Sequence, residues 1–134
     1  MKSFLLFSFL LFVFLFTSCE KNEELTIPLS GTWQLIEILG DPGDGSGTFE
    51  PVTSNRTITF GEEGAYIANG DLCLFTEASD TESSGIFWAD DQNVEPNGCR
   101  SLAPRSGITY EFSGDELLLS YPCIEPCRHK YRRR

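Results

Sequence analysis

The sequence predicts an all-β fold, a small up-and-down barrel or sandwich of about eight short strands. Three observations carry that reading. Short β-branched and aromatic runs recur from residue 31 onward, several alternating apolar with polar. Gly, Asp, Asn, Ser and Pro cluster between the runs, as turns require. No stretch repeats apolar residues at the 3.6-residue period of an amphipathic helix. Turn-separated short strands of this kind build barrels or sandwiches.

The elements follow in order. "GTWQLIEIL" (31–39) alternates, placing Trp33, Leu35 and Glu37 on one face and Ile36 and Ile38 on the other. "RTITF" (56–60) alternates cleanly, "GEEG" (61–64) turns, and "AYIAN" (65–69) returns. Gly70-Asp71 interrupts the chain before "LCLFT" (72–76), and "SGIFWA" (84–89) follows a polar loop. "GITYEF" (107–112) and "ELLLSY" (116–121) flank Ser113-Gly114-Asp115, a hairpin connection with Gly available for positive φ. "CRHKYRR" (127–133) is the last strand. Three loops rich in Gly, Asp, Ser and Pro remain, at 40–54, 77–84 and 90–106.

Ahead of the strands lies a segment of another kind. Phe4 to Phe16 is apolar apart from Ser8. It is shorter than the ~20 residues a spanning helix needs, and it is apolar on all sides, so it has no core-facing stripe. Lys2 precedes it and the small residues Thr17 and Ser18 follow, the layout of a secretory signal peptide. Cys19 then meets an abrupt switch to "EKNEE". Phe16-Thr17-Ser18-Cys19 resembles the lipobox of bacterial lipoproteins, in which the cysteine thiol accepts a diacylglycerol; Phe16 stands where Leu is usual. The expected organisation is a lipoprotein signal peptide at 1–18, a lipidated Cys19 with a polar tether through residue 28, and one domain at 29–134. Two or more acyl chains make such an anchor stable.

Composition excludes one class of partner. All twenty acidic residues lie after Cys19; one of the ten basic residues is Lys2, leaving nine, so the mature charge is about −11. Nucleic acid needs Lys and Arg to neutralise phosphates and is not expected as a partner. Five of the basic residues sit in the last seven positions, Arg128, Lys130, Arg132, Arg133 and Arg134. They either touch anionic lipid headgroups or another protein, or pair with acidic neighbours as a terminal strand with a frayed end.

The remaining cysteines are Cys73, Cys99, Cys123 and Cys127. An even number in an exported domain implies disulfides, with three connectivities open. Cys-x3-Cys beside a single His is a poor zinc pattern, so no metal is expected. Ile124-Glu125-Pro126 does not easily continue a strand, and a turn there brings Cys123 opposite Cys127. Cys73 and Cys99 then pair by elimination and tether two of the polar loops.

Catalytic patterns are weak. His129 is the only histidine and sits among Arg128, Lys130 and Arg132; it reads as a solvated strand residue. Asp41, Asp44 and Glu50 in "DPGDGSGTFE" lack the alternating order of a calcium loop. Glu62-Glu63 and Asp90-Asp91 are adjacent pairs whose side chains point apart. No enzyme and no cofactor are expected.

"LSGTWQLIEILG" (29–40) resembles the opening strand of lipocalin-like domains, where Gly-x-Trp closes one barrel end. With "DPGDGSGTFEPV" (41–52), "RTITFGEEGAY" (56–66) and "CIEPCRHKYRR" (123–133), the chain looks like the small lipocalin-like lipoproteins of Gram-negative bacteria over most of 29–133. "GTWQL" also resembles META-type domains, small exported β-rich proteins without a lipocalin pocket. The lipocalin likeness implies an eight-stranded antiparallel up-and-down barrel and a small hydrophobic ligand. An interior of that size either fills with side chains or holds one small ligand. Trp33, Phe60, Tyr66, Phe87, Tyr110, Phe112 and Tyr121 are candidates for core or pocket. The expected function is non-catalytic binding by a monomer anchored to the outer membrane through Cys19. The other reading is a filled barrel that serves as a protein-interaction or inhibitor module through its polar loops.

Overall fold

The structure, a computed structural model, describes residues 28–99 and 107–134. The expected lipid site Cys19, the signal segment and most of the tether lie outside the described residues. Nine strands form: β1 Gly31–Gly40, β2 Glu50–Pro51, β3 Thr57–Phe60, β4 Ala65–Ala68, β5 Ser83–Trp88, β6 Asn93–Pro96, β7 Ile108–Ser113, β8 Glu116–Ser120 and β9 Cys127–Arg133. Each of β3 to β8 pairs antiparallel with the next, and β1 pairs with both β3 and β9. The ring therefore closes as an eight-stranded antiparallel barrel. The two residues of β2 add only a short pairing at Glu37 and Ile38 of β1.

Alternation decides the inside. Trp33, Leu35, Ile58, Phe60, Tyr66, Val94, Ile108, Leu117, Leu119 and Tyr131 are all buried in one apolar cluster. Each such side chain contributes about 1.5–3 kcal/mol by leaving water. Gly85 of β5 is also interior, and a Cβ there would stand 2.1 Å from the Glu95 carbonyl oxygen of β6 and 2.7 Å from the Tyr66 ring, so the missing side chain admits both the neighbouring strand and the tyrosine.

Three sequence expectations are corrected. "LCLFT" is not a strand. Asp71 accepts the amide of Cys73 at 2.8 Å and starts a turn, and Leu72 drops inward, fully buried. In its place "NVEP" forms β6, hidden in sequence between two turn-forming clusters. The faces of β1 also change partway. A bulge between Leu35 and Glu37 shifts the register with β9, so Ile38 turns back against the core. An extra residue in one strand has that effect, because side chains alternate with period two.

The two barrel ends differ. At one end the connections are tight: Gly61–Gly64, Ala89–Gln92, and the pair Gly114-Asp115. Gly64 and Gly114 take φ of 78° and 64°, which side chains with a Cβ resist. Trp33 plugs this end. Its Nε1 donates to the Leu29 carbonyl at 2.8 Å, and the Arg133 guanidinium lies 4.8 Å over its ring. Arg133 in turn donates to the Pro28 carbonyl. Trp33→Ala is expected to lower stability by about 3–5 kcal/mol, read as a fall in the urea midpoint.

The opposite end carries the long connections 41–56, 69–82 and 121–126, and Cys99 and Gly107, which bound the residues not described, also lie there. Both disulfides sit there. Cys73 bonds Cys99 and Cys123 bonds Cys127, with Cα separations of 5.3 and 6.1 Å, the connectivity expected from the sequence. In the chain-entropy model a 26-residue separation contributes roughly 3.5 kcal/mol and a four-residue one roughly 2. A Cys73→Ser/Cys99→Ser pair should therefore lower the thermal midpoint more than Cys123→Ser/Cys127→Ser.

The basic carboxy-terminal run is strand β9. Lys130 bonds Glu37 and lies 3.8 Å from Glu116, Arg132 lies 3.1 Å from Glu116, and Arg128 lies 3.2 Å from Glu111. Three of the five basic residues of this run thus pair with acidic neighbours across the strands, and Arg133 and Arg134 form no ion pair among the described residues.

Candidate functional site at the loop-bearing barrel end

Arg56 precedes β3 in the same alternating phase as Ile58 and Phe60, so its side chain enters the barrel with theirs. It is 0% exposed. Its Nη1 donates to the carbonyls of Thr76 at 2.6 Å and Ala78 at 3.4 Å. Its Nη2 donates to the Asp71 carbonyl at 2.9 Å and to the Tyr121 hydroxyl at 3.4 Å. One guanidinium thus draws the 69–82 segment down over the barrel. This explains why the apolar "LCLFT" does not pair as a strand: its neighbouring carbonyls are spent on Arg56.

Beside Arg56 stands His129, also 0% exposed. The sequence expectation of a solvated histidine is wrong, and the cause is again phase. His129 alternates with Cys127 and Tyr131, all buried, while Arg128, Lys130 and Arg132 point outward. Its ring stacks on Phe75 at 4.7 Å, and its Nδ1 lies 2.9 Å from the Tyr121 hydroxyl and 3.5 Å from that of Tyr131. Burial, with the nearby Arg56 cation, pushes its pKa down from 6.5 to about 3. The imidazole is therefore neutral at pH 7. Tyr121 accepts from Arg56, and we assign its proton to the contact with Nδ1, which leaves the ring proton on Nε2.

Burial also raises the phenols. Tyr66 and Tyr121 are shifted well up and Tyr131 is raised, with desolvation the largest cause for each. Every hydroxyl in the group keeps its proton. Three buried atoms have no partner among the described residues: Arg56 Nε, Tyr66 Oη and His129 Nε2.

The sequence-selected aromatics are placed unevenly. Trp33, Phe60, Tyr66 and Tyr110 are buried, and Phe87, Phe112 and Tyr121 are half-buried against the core. Phe112 packs 5.9 Å from Trp33 and Phe87 edge-on 5.1 Å from Phe60. Of these, Tyr66 and Tyr121 belong to the polar group with Arg56. Sequence reasoning missed Arg56, Phe75 and Tyr131. The signal for two of them was present, since Arg56 and Tyr131 occupy inward phases of clean alternations.

Outside the barrel the loop end shows two exposed apolar residues. Leu74 rides on the 69–82 segment, and Ile124 is fully exposed on the short loop closed by Cys123–Cys127. The Asp41 loop is self-contained. One carboxylate accepts the amides of Gly43, Gly45 and Gly47 at 2.7, 3.1 and 2.9 Å, which hold its pKa low. Among the described residues, no His, Cys, Asp and Glu group of three or more is placed to hold a metal ion. An open groove of about 700 Å³ lies on the outer wall, lined by Thr57, Thr59, Ile67, Asn69, Ser83 and Ser84.

The chain matches no family model, no curated protein and no solved structure. The functional reading therefore rests on the barrel and its two unlike ends.

Proposed function

We propose that this chain is a membrane-anchored lipoprotein whose lipocalin-like barrel binds a small hydrophobic ligand without catalysis, at its loop-bearing end. The asymmetry of the barrel carries the reading. One end is plugged by Trp33 and Arg133. The other gathers the long connections, both disulfides and a buried polar group. Ligand sites favour such mouths, where an apolar interior meets a few convergent polar groups. The anchor fits this polarity. Pro28 enters at the plugged end, and the nine residues from Cys19 span at most about 30 Å when extended. A lipid on Cys19 would hold the plugged end near the bilayer and turn the loops away from it.

A second reading is a solid barrel that engages a protein partner through its loops. Ile124 favours it, because a fully exposed isoleucine on a disulfide-closed turn is an apolar contact held in a restrained backbone.

Native mass spectrometry of the exported, oxidised chain separates the two. A reproducible lipophilic adduct that is lost in organic solvent supports the internal ligand. A bare mass that stays unchanged after incubation with fatty acids and other hydrophobic compounds rejects it in favour of the loop module.

A further inference from the structure

The buried group at the loop end is short of acceptors. Arg56 brings five N–H donors and a permanent charge. Four of those donors face three backbone carbonyls and the Tyr121 hydroxyl, and Nε has no partner. His129 Nε2, which carries the ring proton, is a second donor without a partner. The Tyr66 hydroxyl is a third. Tyr121 and Tyr131 both compete for the single acceptor His129 Nδ1. Among the described residues no carboxylate lies within ion-pair distance of Arg56, although the domain is strongly acidic and Arg128, Lys130 and Arg132 on its surface each have a glutamate partner. A buried cation with surplus donors lacks one kind of partner, an anionic acceptor.

The geometry points to a carboxylate as the group this site recognises: we propose that a ligand carboxylate is bound among Arg56, Tyr66 and His129 beneath the 69–82 segment. The proposal rests on the reading that the barrel's loop end holds a ligand, and it names that ligand's polar group. Neutral His129 and protonated tyrosines suit the role, because each can donate and none repels a negative charge. The two glycines next to the unpartnered atoms belong to the same arrangement. A Cβ on Gly70 would stand 2.6 Å from the Ala78 carbonyl oxygen and 3.0 Å from Arg56 Nε, and one on Gly85 would stand 2.1 Å from the Glu95 carbonyl oxygen and 2.9 Å from Tyr66 Oη. Side chains at these positions would crowd the donors.

The test uses the full chain, exported, oxidised and held in neutral phosphatidylcholine nanodiscs. It is titrated with acetate, octanoate and octanol, each carrying 13C on its terminal carbon and followed by NMR. Empty nanodiscs supply the background. Acetate and octanoate distinguish a free small carboxylate from the head of an amphiphile, and octanol keeps the tail without the charge. A protein-bound carboxylate signal that stays ionised below the free acid's titration supports the proposal, whichever of the two acids gives it. Octanoate should bind at least tenfold more tightly than octanol. Tyr66→Phe should weaken the carboxylate about tenfold and leave octanol unchanged. This variant removes only a hydroxyl that has no protein partner, so the fold should survive it, whereas Arg56→Lys could fail to fold. Octanol binding as well as octanoate would overturn the carboxylate site and leave the barrel-ligand reading standing. Binding of none of the three would overturn both. Unchanged octanoate affinity in Tyr66→Phe would also count against the site.

Discussion

Replacing Arg56 with leucine is expected to lower the stability of the domain by about 3–5 kcal/mol, a large fraction of the ~5–15 kcal/mol typical of small domains. The leucine fills part of the volume but donates nothing. The carbonyls of Asp71, Thr76 and Ala78 then lose their donor in a partly buried setting, and each unsatisfied group costs about 1–3 kcal/mol. The loss should be local before it is global. Amide exchange in residues 71–78 should accelerate more than exchange in β8 and β9. Arg56→Lys should recover little, because a single ammonium cannot serve carbonyls spread around a planar fork. Urea unfolding read by Trp fluorescence gives the magnitude. A loss below about 1 kcal/mol would mean that the segment holds its place through the Cys73–Cys99 bond and the burial of Leu72 alone.

Acid should destabilise the fold through His129. The folded pKa is depressed to about 3, against 6.5 for the free side chain. Between those values the unfolded chain binds a proton that the folded chain excludes, so stability rises with pH across the window. The contribution is complete above about pH 6.5 and is lost as pH falls towards 3, at roughly 1.4 kcal/mol per unit and with a ceiling of ~4–5 kcal/mol. Asp41, whose pKa is lowered by backbone amides, adds to the loss only below about pH 4. His129→Gln separates the two, since it should flatten the profile between pH 6.5 and 4 and leave the steeper acid limb. An equal slope in the variant over that range would assign the effect to other groups. The hydrogen bond from Tyr121 explains why a polar residue is tolerated there at all: it satisfies Nδ1 without requiring charge.

Much of the barrel was legible because strand alternation needs only local information. "RTITF" and "GITYEF" show their inward faces directly. Gly31-x-Trp33 marked the end that closes, and the spacing of Cys123 and Cys127 marked their bond. The failures share a cause, which is long-range competition for backbone groups. "LCLFT" has the composition of a strand, and it became a cover for the barrel because Asp71 turns the chain and Arg56 takes the carbonyls. "NVEP" has little strand propensity, and it became β6 because β5 and β7 present ladders on both sides of it. The bulge after Leu35 cannot be read from β1 alone, since it is a property of its pairing with β9. The polar site was hidden for a different reason. His129 between Arg128 and Lys130 looks like surface, as does Arg56 after the turn-forming Ser54-Asn55, and only the phase of the strand reveals that both point inward.

The most direct test of the working end is an NMR map. Backbone amides and the two indole signals of the oxidised chain would be followed while hydrophobic compounds are added, beginning with medium-chain fatty acids. The account predicts that the largest shifts fall on residues 56, 71–78, 121 and 129, with the Trp33 indole nearly unchanged behind its plug. Shifts confined to the outer-wall groove at Thr57, Thr59 and Ser84, or centred on Trp33, would contradict it.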